Sequence, residues 1–158
     1  MSVISHWTYN GEPINDLPTG AGGFVYLITN TVNGMKYVGR KYATRRIKSK
    51  INTTSKNAIN KKKTKIKVKE SDWASYTGSC IPLNKDIDMH GKDKFHFEII
   101  SFGHTKGIVN YIEEYIQMSF NIILRSDFYN NSIGSRRYIA MNNNEKLLNI
   151  ITSLNWKC

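Results

Sequence analysis

The chain has 158 residues, 40% of them hydrophobic, enough for one domain with a real core and too few for two large ones. Its net charge of +11 and pI of about 9.7 point to a polyanionic partner. No apolar run approaches a membrane span, no signal-peptide pattern opens the chain, and Cys80 and Cys158 fit no zinc spacing, so the expected setting is the cytoplasm with reduced thiols.

Residues 1–22, with Pro13, Pro18 and a glycine-rich end, read as an irregular leader anchored by Trp7 and Tyr9. Two β-rich runs follow, Gly23 to Asn30 and Met35 to Arg40, flanking Asn33-Gly34, the dipeptide that best tolerates a type I′ turn. A two-residue loop there pairs Val32 with Met35, Asn30 with Tyr37, Ile28 with Gly39 and Tyr26 with Lys41. Alternation then gathers Tyr26, Ile28, Asn30, Tyr37, Gly39 and Lys41 on one face. Two phenols, an amide and an ammonium around a glycine have the look of a site.

A short helix is expected from about Lys41. From Arg45 to Lys69 there are eleven cations and no acid, which leaves the rest of the chain near neutral. This stretch reads as an inserted loop over residues 48–70, ordered by a polyanion. Trp73 and Tyr76 return the chain to the fold as packing or stacking groups.

Residues 82–90 predict a helix with Leu83, Ile87 and Met89 as its apolar positions, stopped by Gly91. Residues 95–100 alternate and then turn continuously apolar, as a central third strand does. Thr105 suits the N-cap of a helix running to about Phe120, with Val109, Ile112, Ile116 and Phe120 on one stripe. Residues 142–155 predict a final helix. The expected fold is α+β (mixed α/β): a small three-stranded antiparallel sheet flanked by helices. Residues 1–22 lead into a domain of residues 23–131, and residues 132–158 form a helical extension.

The pattern resembles the GIY-YIG nuclease family. Tyr37-Val38-Gly39 is the second half of its signature, and Gly23-Phe24-Val25-Tyr26 is a first half with one extra residue. Asn30, Asn33-Gly34, Trp73, Tyr76 to Ser79, His90-Gly91 and the strand ending at Ile100 also match, in the manner of phage-encoded and free-standing homing-type members. The resemblance implies hydrolysis of DNA phosphodiesters with a divalent cation, Mg2+ or Mn2+. It implies Tyr37 as general base, Tyr26 as accessory acid/base, a helical arginine that is Arg45 or Arg46, and a late asparagine best matched by Asn130. The metal-binding glutamate falls at Glu113-Glu114.

At about 100° per helical residue, Glu113 lies at the edge of the buried stripe and Glu114 points away, so Glu113 is the expected metal ligand. Lys41 is expected to favour phenolate at Tyr37 and, with Asn130, to position phosphate. Lys48, Lys61, Lys62 and Lys63 are expected to bind DNA through counterion release. One active site cuts one strand, so double-strand cleavage would need a homo-oligomer or sequential nicks. The alternative reading is a non-catalytic DNA- or RNA-binding protein on the same scaffold.

Overall fold

A computed structural model describes residues 5–50 and 64–133. The expected helix over residues 142–155, and Lys61, Lys62 and Lys63, lie outside the described residues. The strands are β1 Thr8–Tyr9, β2 Glu12–Pro13, β3 Gly23–Asn30, β4 Lys36–Tyr42, β5 Thr44–Lys50, β6 Thr64–Glu70 and β7 Phe95–Gly103. Five of them form one mixed sheet in the order β2-β1-β7-β3-β4. The helices are α1, Ile81–His90, and α2, Lys106–Ser119. Among the described residues, no helix is long and apolar enough to cross a membrane.

The expected three antiparallel strands are present as β7, β3 and β4, but the sheet is larger because the leader joins it. Strand β1 runs parallel to β7, pairing Thr8 with Glu98, and β2 folds back on β1. Two-residue strands carry no period to read. What holds them is Trp7, fully buried, whose indole N–H donates to Trp73 O at 2.8 Å.

Strand β3 is buried along nearly its whole length because both of its faces are covered, hence its unbroken apolar run. On one face Phe24, Tyr26 and Ile28 pack with Trp7, Trp73, Leu83, Ile87, Phe97 and Ile99. On the other, Val25 and Val38 pack with Ile108, Val109, Ile112 and Ile116 of α2. Thr105 caps α2, its Oγ1 accepting from Ile108 N–H at 3.2 Å.

The hairpin register differs from the expected one by two residues: Tyr26 pairs with Gly39, Ile28 with Tyr37 and Thr29 with Lys36. A four-residue loop replaces the two-residue turn. Gly34 N–H donates to Asn30 O at 2.8 Å, and Asn30 Oδ1 and Asn33 Oδ1 accept from Val32 N–H and Met35 N–H at 2.9 Å each. These local amide bonds favour the wider loop over the tight turn. A shift of two leaves every side chain on the face first assigned to it.

The helix expected from Lys41 is absent. Strand β4 runs to Tyr42, and β5 pairs antiparallel with β6 as a separate two-stranded ribbon. The expected insertion therefore begins and ends as paired strand.

Candidate active site

Strand β4 is the edge of the main sheet, and the candidate site wraps that edge. A cleft of about 610 Å³ is lined by Tyr37 and Lys41 from one face of β4, Arg40 and Tyr42 from the other, Glu113 and Gln117 of α2, and Tyr76, Ser79 and Asn130 from the loops. Tyr37 and Glu113 thus approach one space from opposite sides of the sheet.

Gly39 makes this arrangement possible on the phenol side. A Cβ on Gly39 would stand 2.5 Å from the Tyr26 hydroxyl and 2.8 Å from Cε1 of Tyr37. The missing side chain is the space into which the two tyrosines lean, their ring centroids 6.1 Å apart. On the helix side, Arg40 Nη1 donates to Glu113 Oε2 in a direct ion pair, and Arg40 Nε donates to Tyr42 Oη at 3.2 Å.

Residues 7–133 match the family described as "Putative endonuclease segE, GIY-YIG domain". The chain belongs to the GIY-YIG endonucleases. Comparisons with curated proteins and with solved structures give no match.

In this GIY-YIG endonuclease the expected site residues separate into two groups. Tyr37, Lys41, Glu113 and Asn130 line the cleft. Tyr26 does not: it is 1% exposed, in the core behind Tyr37. Burial, and then its neighbours Tyr76 and Tyr37, push the Tyr26 phenol well above its ordinary range. Arg45 and Arg46 do not line it either, because the segment carrying them is exposed β5 strand and not the expected helix. Lys48 is exposed on the same strand.

Three expectations about chemistry change. Lys41 does not lower Tyr37; its ammonium pairs with Asp72 Oδ1 at 2.7 Å and sits 3.6 Å from the centre of the Tyr76 ring. The Tyr37 phenol lies above its ordinary value because burial raises it, with Cys80, Glu113 and Tyr76 adding to burial while a hydrogen bond from Ser79 opposes it. The Asn130 amide is occupied by β4: its Oδ1 accepts from Val38 N–H at 3.0 Å and its Nδ2 donates to Val38 O at 2.8 Å. Those two bonds pin the cleft wall and use only one of the two Nδ2 hydrogens.

Glu114 does not point to solvent. It is 3% exposed against 6% for Glu113, since α2 is covered beyond its sheet-facing stripe and the turn Ile122–Leu124 also packs on it. What separates the two acids is position: Glu113 lines the cleft and holds Arg40. Burial lifts the Glu113 carboxyl above its ordinary value, and Arg40 pulls it down without cancelling that effect. Burial also works against the Arg40 charge, but Glu113 and Tyr42 together carry the guanidinium above its usual value. A direct carboxylate–guanidinium contact is the geometry of an ionised pair.

Among the described residues, no group of three or more His, Cys, Asp or Glu side chains could cage a metal. One buried carboxylate on an open cleft still fits a hard cation of the Mg2+ kind, which keeps several waters and takes one or two carboxylates plus substrate phosphate. In this structure that carboxylate is paired with Arg40.

Arg40 is the residue that sequence reasoning missed. It directly follows Tyr37-Val38-Gly39, but alternation assigns it to the face away from the phenols. The signal was available: that face lies under α2, whose stripe edge carries Glu113.

Proposed function

We propose that this endonuclease domain hydrolyses DNA phosphodiesters in the cleft at the β4 edge, with a divalent cation on Glu113, Tyr37 as proton acceptor and Arg40 as the charge-stabilising arginine. The supporting observation is that one cleft of about 610 Å³ is bordered jointly by Tyr37, Arg40 and Glu113. Its dimensions and polar lining suit a phosphodiester rather than an apolar ligand.

A phosphodiester resists attack because of its own charge, so neutralising that charge and aligning water are the main tasks. When bound, the cation polarises the phosphoryl oxygen and the attacking water, and its charge reverses the field that Glu113 exerts on Tyr37. Tyr37 Oη acts as phenolate, its own proton lost to solvent beforehand, a form that the Ser79 hydrogen bond favours and a bound cation would favour further; it then takes the proton that water gives up on attacking phosphorus. With a cation held by Glu113, the Arg40 guanidinium would be available to meet the charge gathering on the phosphoryl oxygens. The bond from phosphorus to the leaving oxygen breaks, and solvent returns a proton to that oxygen. Lys41 at the cleft rim offers an ammonium to the neighbouring phosphate. One such cleft cuts one strand, so a nick is the expected first product.

Plasmid nicking in Mg2+ and in EDTA tests this reading with wild type, Glu113→Gln, Tyr37→Phe and Arg40→Ala. Each substitution is expected to lower nicking by about 10²-fold or more, with EDTA abolishing it. Equal nicking by wild type and Glu113→Gln, or full activity in EDTA, would overturn it.

A further inference from the structure

The ribbon β5–β6 is the part of the fold that the cleft does not explain. Its seven-residue strands pair from Thr44↔Glu70 to Lys50↔Thr64 and pack chiefly on each other. An isolated two-stranded ribbon is marginal in water unless another surface covers it. Its base is firmly tied: Ala43 N–H donates to Gly22 O at 3.0 Å, Ser71 N–H to Ala43 O at 2.9 Å, and Ser71 Oγ to Tyr42 O at 2.6 Å. Since Tyr42 lines the cleft, the ribbon departs from the cleft's own rim.

Pairing sorts the side chains into two faces. One carries Arg45, Ile47 and Ser49 opposite Lys69, Lys67 and Lys65. The other sets Arg46 opposite Val68 and Lys48 opposite Ile66. Val68 is 63% exposed and Ile66 51%. Branched apolar side chains held in water beside long hydrogen-bond donors make a surface suited to apolar contact and acceptors together. No acid occurs from Arg45 to Lys69, so the charge selects a polyanion as the occupant.

We propose that β5–β6 is a groove-reading arm that enters the major groove of duplex DNA beside the cleft. Arg46, Lys48, Ile66 and Val68 face the base edges, and the lysines of the opposite face reach back to the phosphate walls. The proposal rests on DNA being the substrate, and it adds where and how sequence is read. Paired strands lie about 4.8 Å apart, and a major groove about 12 Å wide admits such a ribbon while a minor groove of about 6 Å does not. Base edges there offer what this face lacks: guanine O6 and N7 acceptors for Arg46 and Lys48, and thymine methyl groups for Ile66 and Val68. The major groove of A-form RNA is too narrow and deep to be read in this way.

Binding of the full chain to a duplex DNA in EDTA, where no cleavage intervenes, provides the test. Guanine N7 methylation of the probe is expected to interfere with binding, and a duplex RNA of the same sequence to compete at least about tenfold more weakly than the DNA. In the combined variant Arg46→Gln, Lys48→Gln, Ile66→Thr, Val68→Thr, which keeps strand-forming residues at the apolar positions, both effects are expected to disappear. Lys65→Gln, Lys67→Gln and Lys69→Gln together should weaken all binding and flatten the salt dependence by roughly one unit of slope for each phosphate no longer neutralised. An unchanged thermal midpoint in the variants excludes unfolding as the cause. RNA competing equally with wild-type binding, no N7 interference, or interference that survives the four-residue variant would overturn the proposal. Plasmid nicking is read separately: interference without nicking sinks the catalytic reading alone, and nicking without interference sinks the arm alone.

Discussion

Gly39→Ala tests why a glycine must sit between the phenols. The added methyl would lie 2.5 Å from the Tyr26 oxygen, 2.6 Å from its Cζ and 2.8 Å from Cε1 of Tyr37. Carbon atoms prefer about 3.5–4.0 Å, so both rings must retreat by roughly 1 Å. Tyr26 cannot easily do so, because it is 1% exposed with its ring against Trp7, centroids 4.9 Å apart, and Phe24 at 6.1 Å. Gly39 does not have a positive φ, so alanine meets no backbone strain and the cost is crowding alone. Overpacking of this kind costs typically about 1–3 kcal/mol, and the restricted unfolded chain returns about 0.4–1 kcal/mol. A net loss of about 1 kcal/mol in urea denaturation is expected, and a Tyr37 ring displaced by about 1 Å should lose about 10²-fold in nicking. Gly34→Ala is the control: with φ of 75° and nothing within 4 Å, it strains only the backbone and should leave nicking unchanged. Gly39→Ala within about 0.5 kcal/mol of wild type and fully active would refute the steric argument.

Three further outcomes follow from the same geometry. Arg40→Ala should cost about 2 kcal/mol near neutral pH by leaving Glu113 buried without its cation, and the deficit should shrink as acid protonates that carboxyl; a deficit that ignores pH between about 4 and 7 would contradict this. Asn130→Ala leaves Val38 N–H without its partner and Val38 O with only the longer 3.4 Å bond from Gln117 Nε2, and should cost about 1–2 kcal/mol; no stability loss but a tenfold drop in DNA affinity would return Asn130 to a phosphate role. His6 is lowered to about 4 by burial first and Lys92 second, with its Nε2 bonded to Tyr76 O at 3.0 Å. A lowered pKa means that the neutral ring is favoured by folding, so stability is full above about 6.5 and falls as the pH drops toward 4, by at most ~3 kcal/mol. His6→Gln should flatten that slope in unfolding measured against pH, and an unchanged slope would contradict the assignment.

The face that carries the phenols was legible because strand alternation has a period of two. A hairpin register wrong by two residues still places Tyr26, Gly39 and Tyr37 together. Helices α1 and α2 were legible through Gly91, Thr105 and the stripe at Val109, Ile112 and Ile116. Strand β5 was not, because Thr44–Lys50 offers only Ile47 as an apolar residue and its partner strand lies beyond a long polar stretch. The leader strands are too short to carry a pattern. The environment of Tyr37 was hidden for a different reason: Lys41 is drawn to Asp72, a contact that exists only after the chain returns from the ribbon. Arg40 was not legible because alternation sets it on the face away from the phenols, and the site bends around the margin of the sheet.

That margin is itself guarded. Lys36 N–H donates to Asp127 O at 2.9 Å, Tyr129 N–H donates to Lys36 O at 2.8 Å, and Asn130 takes both backbone groups of Val38. Residues 127–130 therefore act as a short false strand alongside β4, satisfying groups that would otherwise template another chain. A protein shortened to residue 126 would lose this cover and carry a bare, partly apolar strand border; self-association through it, seen as concentration-dependent light scattering, is the hazard that four residues hold off.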